Sequence, residues 1–402
     1  MTTRNLSAAI ARHFARITSS GRLIPEIDGL RFIAISGVVL YHCMQQIAAR
    51  NGVSANFEDH QGADRFVIWL LSQGRLGVQF FFVISGFVLG LQYSERHFSG
   101  RPKPGLGRFY LRRLTRLEPP YAVNLLFSYL LVATLFALGL RAKGAGFSAL
   151  LPHLAASLVY LHGFIYHDMS LVNGVTWSLE VEAQFYLLMP LMGTLIYLIR
   201  GNHMRTLVLF AAIVAHGAAV GADHDPPWYL QFTLAGYLGY FLTGILLADL
   251  YGARSDRLAS GDIRWDWAAL GALVIILVSE FRSGYEGHFP LLFGVVCRAA
   301  LSGRLLKRAL NLTPIWIIGG MCYSIYLYHL WIIALGAQAM RFAYRHDFPF
   351  WRNYCDLCPW LLIAVLAISS GFFLALERPC MERDWPKKLW RSATRRIRPA
   401  RG

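Results

Sequence analysis

The chain alternates long apolar runs with short polar stretches, and the runs carry its organisation. Ten of them read as membrane spans, roughly 30–48, 66–92, 119–140, 177–199, 206–222, 229–250, 265–281, 287–302, 314–340 and 356–376. A spanning helix needs about 20 mostly apolar residues. Continuous runs predict helices, because a membrane barrel is built from short segments of alternating polarity. The second run is longer than one crossing needs, and Gly74-Arg75-Leu76-Gly77 is its expected break. A semi-apolar segment, 147–166, is interrupted by Pro152 and carries His153 and His162, so it reads as an interfacial or re-entrant helix. The expected fold class is an all-α polytopic membrane protein with about ten transmembrane helices plus that one interfacial or re-entrant helix. Residues 1–29 form a polar N-terminal segment, 30–377 one transmembrane domain and 378–402 a basic tail. No internal repeat stands out, and no separate soluble domain fits the loop lengths.

Composition agrees. Of 402 residues 55% are hydrophobic and 15% charged, where a soluble protein carries about 25% charge. The first 25 residues are polar, with Arg4, Arg12, Arg16 and Arg22 ahead of any apolar run, so the first span is expected to stay in the membrane. A net charge of +16 raises the question of nucleic acid. Ten spans from a cytoplasmic N-terminus put both termini on the cytoplasmic side and place 28 of the 39 Lys and Arg residues there. That bias, repeated loop by loop, is the positive-inside pattern of a cytoplasmic (inner) membrane protein. The charge therefore records topology and contact with anionic membrane lipids, and no nucleic-acid partner is expected. Six cysteines set no disulfide framework. The close pair Cys355 and Cys358 lacks nearby histidines at ligand spacing, so packing or an incidental disulfide is preferred over a metal, and no metal is expected.

Ionisable residues inside the runs are the candidates for chemistry, since each is costly unless it faces protein or a wet cavity. Arg31 and His42 lie eleven residues apart in the first run. On a helix that spacing puts them on one face to within about 20°, about 16 Å apart along the axis. The alternative is that Arg31 snorkels to the interface while His42 bonds a neighbouring carbonyl, and this helix alone leaves the two readings level. Arg112, Arg113 and Arg116 precede the third run, and Arg113 and Arg116 share a helix face. Paired guanidinium groups suit phosphate oxygens, though on this segment alone an ordinary flank gripping lipid headgroups is the preferred explanation. Trp177-Ser178-Leu179-Glu180-Val181-Glu182 opens a span on the far side. Its carboxylates, two apart, point in different directions, so one of them can face the interior and orient a histidine while the other meets the helix dipole. Tyr328 and His329 sit midway along the ninth run, in Tyr323-Ser324-Ile325-Tyr326-Leu327-Tyr328-His329, where an imidazole lines a site or bonds a neighbouring helix. Gly77-Val78-Gln79-Phe80-Phe81-Phe82-Val83-Ile84-Ser85-Gly86-Phe87 carries a small Ser-Gly step whose ordinary role is helix contact.

Together these segments resemble the acyltransferase 3 family of integral-membrane acyltransferases, which O-acylate envelope and secreted carbohydrates. The likeness spans nearly the whole chain in order: D-G-L-R…H, G-V-x-x-F-F-V-I-S-G-F, R-R-x-x-R-x-x-P-P-Y, W-S-L-x-V-E-x-Q-F-Y, Y-S-I-Y-L-Y-H and the closing Glu377-Arg378-Pro379. Each is weak alone; six in order make a strong signal. The resemblance implies an O-acyltransferase, most often an O-acetyltransferase, with no permanently bound cofactor. Acetyl-CoA serves as cytoplasmic co-substrate, and a glycan or lipid-linked saccharide presents a hydroxyl from outside. It implies His42 as the catalytic histidine beside Arg31, with Arg113 and Arg116, flanked by Arg112, holding the CoA phosphates and Glu182 supporting the histidine. Trp177, Glu180, Tyr328 and His329 are then the expected substrate-side residues. Departures from the family pattern are Gln79 and Ala183 at positions often acidic, and Glu180 at one often small. Longer members carry a hydrolase-like outer domain, and without one the transfer is expected to finish inside the membrane domain. The other readings are a carrier of an anionic solute, for which inverted repeats or matched broken helices would be needed, and an acyltransferase of a small hydroxylated metabolite.

Overall fold

The computed structural model describes residues 13–17, 23–100, 105–139, 146–220, 227–253, 261–282, 286–382 and 385–386. The start of the N-terminal segment and the basic tail beyond residue 386 lie outside the described residues. Among the described residues every regular element is a helix. The first is α1 (Pro25–Arg50); α2 (Gly62–Ser72) then runs through a 3-10 turn into α3 (Leu76–Ser99). Next come α4 (Leu106–Ala137), the short α5 (Phe147–Leu158) and α6 (His162–Tyr166), α7 (Trp177–Leu198) and α8 (Asn202–Val220). They are followed by α9 (Trp228–Gln231), α10 (Leu234–Ala253), α11 (Ile263–Arg282), α12 (Phe289–Ser302) and α13 (Leu305–Leu310). The chain ends with α14 (Thr313–Gly320), α15 (Cys322–Ala339), α16 (Phe350–Phe372), a π turn, and α17 (Arg378–Met381).

Among the described residues seven helical stretches are long and apolar enough to cross a bilayer, and α14 with α15, bent by 74°, is an eighth if the pair is one span. The protein is an all-α, multi-pass membrane protein. The expected break at Gly74 is the 3-10 turn Gln73–Arg75, through which Gly62–Ser99 continues. The run 265–281 lies in α11, whose Arg264, Asp266, Glu280 and Arg282 shorten its apolar stretch. The run 287–302 gives a helix of only 14 residues. The third run starts earlier than its apolar part: α4 begins at Leu106, so Arg113 and Arg116 ride on the same rod as the span, through Pro119 and Pro120. The segment 147–166 forms two short helices, separated by Tyr160 in a left-handed conformation (φ 60°). Tyr160 is held there by stacking on Tyr121 and donating its hydroxyl to Glu118 at 2.8 Å.

Helix α1 is the hub. Ile27, Leu30 and Ala34 join one buried cluster, and Ile35, Val38, Val39, Met44 and Ile47 join a second. Two apolar surfaces on one helix bury it between neighbours, the expected state of a rod apolar nearly all round. Close backbone approach fixes its depth. A Cβ on Gly319 of α14 would fall 1.7 Å from the carbonyl oxygen of Asp28, and one on Gly77 would fall 2.3 Å from that of Ala34. The Ser85-Gly86 step does the same for α3 and α10, where a Cβ on Gly86 would meet the Phe241 carbonyl oxygen at 2.2 Å. Small residues at such crossings let helices associate where lipid offers no hydrophobic drive.

Candidate active site

His42 and His329 come together. Their rings, on α1 and α15, are 5.1 Å apart and tilted by 46°. His42 is half-buried, whereas His329 is fully enclosed. The outer nitrogens of both are fixed by neighbours. Gln45 donates its amide to Tyr41 Oη at 2.6 Å, which leaves its Oε1 to accept from His42 Nδ1 at 3.1 Å. His329 Nδ1 lies 2.7 Å from the Tyr326 carbonyl and 3.1 Å from that of Ile325, one turn back on its own helix. A ring whose Nδ1 donates carries its lone pair on Nε2. His329 Nε2 is buried with no hydrogen-bond partner. The arrangement therefore presents two basic ring nitrogens in the interior, both from residues singled out in the sequence.

Three turns back along α1 the residues are of the opposite kind. Arg31 bonds Asp28, one turn before it and buried, and Arg16 reaches the same carboxylate oxygen at 3.4 Å. Arg116 lies within electrostatic reach of Arg16, and Arg113 within reach of both Arg116 and Glu182. Arg113 stacks over Phe109 at 3.8 Å and Tyr186 at 5.3 Å, and its Nη1 donates to the Phe109 carbonyl at 3.2 Å. Four guanidinium groups thus gather where α1, α4 and the N-terminal segment 13–17 meet, as the i,i+3 spacing of Arg113 and Arg116 allows. Arg112, on another face of α4, is exposed and stands apart from them.

Glu182 belongs to this arginine end. Its carboxylate accepts from Ser85 and, at 2.5 Å, from Tyr186, and it lies within reach of Arg31. The bond expected between Glu182 and His42 is not among these, and Gln45 holds His42 Nδ1 instead. The remaining link between the ends is indirect: Ser178 and Tyr326 share a hydroxyl–hydroxyl bond of 2.6 Å, and Tyr326 lies beside His329. Glu180 points elsewhere, accepting from the Gly163 amide at 2.9 Å. Trp177 packs among Phe82, Tyr237 and Phe232, and Tyr328 stacks on Phe372, so neither ring lies against the histidine pair. His153 and His162 bond each other at 2.8 Å and stack on Tyr166.

Four residues of the site escaped the sequence reading. Arg16 sits in a polar stretch with no period, Gln45 is an unremarkable amide one turn past His42, and Asp28 was only part of a motif. Glu377 is buried and accepts from the amide and hydroxyl of Ser324, within reach of Arg16 and Arg116. The acidic function missing at Gln79 arrives from another element: Gln79 donates to Glu286 at 2.8 Å, and Arg75 bonds Glu286 at 2.9 Å and Glu280 at 2.5 Å. All six cysteines are free, and Cys43 neighbours Cys358 rather than Cys355. Among the described residues no group of three or more His, Cys, Asp or Glu side chains is placed to hold a metal.

Comparison with known proteins decides the family. A family model described as an acyltransferase domain matches residues 24–376, nearly the whole described chain. The chain belongs to the acyltransferase 3 family. Among curated relatives, the O-acetyltransferase OatA of Staphylococcus aureus (strain NCTC 8325 / PS 47) is 26% identical over 341 residues, covering 78% of this chain and 51% of its own length. A putative O-acetyltransferase of S. aureus strain MRSA252, SAR0937, is 24% identical over 403 aligned positions, covering 92% of this chain and 59% of its own. The chain thus spans between half and three-fifths of the length of these relatives. No solved structure matches. The acyltransferase 3 membership gives the two ends of α1 a chemical context: the matched segment contains the histidine pair and, apart from Arg16 and Glu377, the arginine cluster.

Proposed function

We propose that this protein is an O-acetyltransferase of the cytoplasmic membrane that moves an acetyl group from cytoplasmic acetyl-CoA to a hydroxyl of an extracytoplasmic glycan or glycolipid. The observation that carries the reading is the polarity of α1, with a cluster of guanidinium groups at one end and two imidazoles with free ring nitrogens about three turns away. CoA has the matching shape, a polyanionic nucleotide joined to a thin neutral arm that ends in the thioester. Its phosphates cannot enter hydrocarbon unaided. Arg113, Arg116 and Arg31 hold them by bidentate contacts at the inner face, and the pantetheine arm runs beside α1 towards His42.

In the transfer step His42 Nε2 takes the proton of the acceptor hydroxyl as its oxygen bonds to the acetyl carbon. The carbon–sulfur bond breaks, and the leaving thiolate takes that proton back from the imidazolium. Gln45 keeps the proton of the resting ring on Nδ1, so the lone pair on Nε2 faces the reaction. His329 Nε2 accepts from a hydroxyl of the acceptor and so positions it. Glu182, through Ser85 and Tyr186, holds the arginine end in place. The acceptor arrives from the outer side; with the arginine end of α1 at the inner face the N-terminus lies in the cytoplasm, and an even number of spans returns the C-terminus to the same side. The names of the O-acetyltransferase relatives and the family match support this reading.

The test is purified protein in lipid nanodiscs with labelled acetyl-CoA and base-treated envelope glycan. Labelled ester is expected on the glycan, whereas a carrier would leave the thioester intact. Arg113→Ala and Arg116→Ala are each expected to raise KM for acetyl-CoA about ten- to a hundredfold, the range for a lost hydrogen bond to a charged group. An unchanged KM in both variants would remove the phosphates from this end of the molecule.

A further inference from the structure

Arg16 has no place in the motifs that define the family, and it lies before the matched segment, in a polar stretch. The structure nevertheless seats it among the arginines. Phe14, two residues earlier, lines an apolar groove of about 390 Å³ with Ile317, Ile318 and Met321, which anchors the segment 13–17. From there Arg16 projects to Asp28, and its side chain is 14% exposed. Its Nη1 is 3.4 Å from the Asp28 oxygen that Arg31 already bonds, so two guanidinium groups share one carboxylate oxygen. Arg16 Nε is buried with no hydrogen-bond partner among the described residues. The nearby carboxylates are committed elsewhere, Glu377 to Ser324 and Glu182 to Ser85 and Tyr186. A buried donor without a partner is costly. Cations packed this closely repel one another until an anion arrives.

We infer that Arg16 is a fourth arginine of the donor site, a binding residue that closes on the phosphates of acyl-CoA from the N-terminal side. This deepens the proposed function and rests on it. In the ligand-free state Asp28 holds Arg16 and Arg31 in position, and the incoming phosphate takes up the uncommitted N–H groups. The segment carrying Arg16 then acts as a third wall of the site, beside α1 and α4, and contributes to affinity for the nucleotide end of the donor only.

The experiment measures calorimetric binding of CoA and of pantetheine, which lacks the nucleotide and phosphates, to the full chain in nanodiscs. Wild type is compared with Arg16→Ala and Arg16→Lys, and thermal unfolding of each variant checks that it is folded. Arg16→Ala is expected to weaken CoA binding about tenfold or more, leave pantetheine binding within about twofold, and flatten the salt dependence of CoA binding; Arg16→Lys recovers part of the loss. Equal weakening of both ligands, or a loss traced to unfolding that Arg16→Lys shares, would make Arg16 a structural residue and overturn the inference. Unchanged CoA binding in Arg16→Ala would overturn it as well. If wild type binds no CoA, the proposed donor itself fails, an outcome distinct from failure at Arg16 alone.

Discussion

His42→Ala is expected to lower kcat for acetyl transfer by about 10³-fold while leaving KM for acetyl-CoA within about threefold. The size follows from what a positioned general base contributes, about 10² to 10⁴. The split follows from geometry. The groups proposed to grip the donor are about three helical turns away: Arg31 bonds Asp28, and Arg113 bonds the Phe109 carbonyl and stacks over Phe109 and Tyr186. Removing the imidazole therefore leaves the nucleotide's contacts in place. His329→Gln, which keeps a polar side chain in that enclosed site, is expected to raise KM for the acceptor more than it lowers kcat. Steady-state kinetics with each substrate varied in turn checks both. A kcat for His42→Ala within tenfold of wild type would show that another group takes the proton.

The largest effect on stability is expected at a residue far from this chemistry. Arg205 on α8 is fully buried, with Nε 2.8 Å from Asp249 of α10, Nη1 2.9 Å from the Ile199 carbonyl and Nη2 3.0 Å from the Asn202 side chain. Counted by sequence it is a loop charge; in the fold it is an internal ion pair joining two helices. Arg205→Ala leaves Asp249 buried and uncompensated, which costs about 3–5 kcal/mol. Converting Asp249 to Asn in the same chain is expected to recover most of that loss, because the uncompensated charge is then gone. Unfolding in detergent, followed by heat or denaturant, gives both numbers. An Arg205→Ala protein as stable as wild type would mean that water or lipid headgroups solvate the pair.

What could be read from the sequence was whatever depends on periodicity within one helix. The eleven-residue step from Arg31 to His42, the i,i+3 step from Arg113 to Arg116 and the depth of His329 all follow from 3.6 residues per turn. Which helices meet does not follow from any one of them. Within the span the sequence leaves open whether Glu180 or Glu182 faces the interior, and only the family resemblance points to Glu182 as the histidine's partner. The fold instead brings Ser178, one turn earlier, against Tyr326, and Glu182 against Ser85 and the arginines. The bend between α14 and α15 was hidden because apolarity continues through it, while Gly319 packs its backbone on Asp28. The start of α4 is hidden for the opposite reason: its first three turns carry Arg108, Arg112, Arg113 and Arg116, so hydropathy begins the element only at Pro119 although the helix begins at Leu106. Arg16 gave no signal at all, since its position depends on Phe14 finding a groove built from residues some 300 positions later.

The account rests on a donor that lies along α1 with its phosphates at one end and its reactive tip at the other. The most direct measurement is a structure of the full chain in nanodiscs with CoA bound. The expected result has the phosphates against Arg113 and Arg116 and the thiol sulfur beside His42 Nε2. A sulfur held at the level of Arg31, with packed side chains filling the space up to His42, would contradict it.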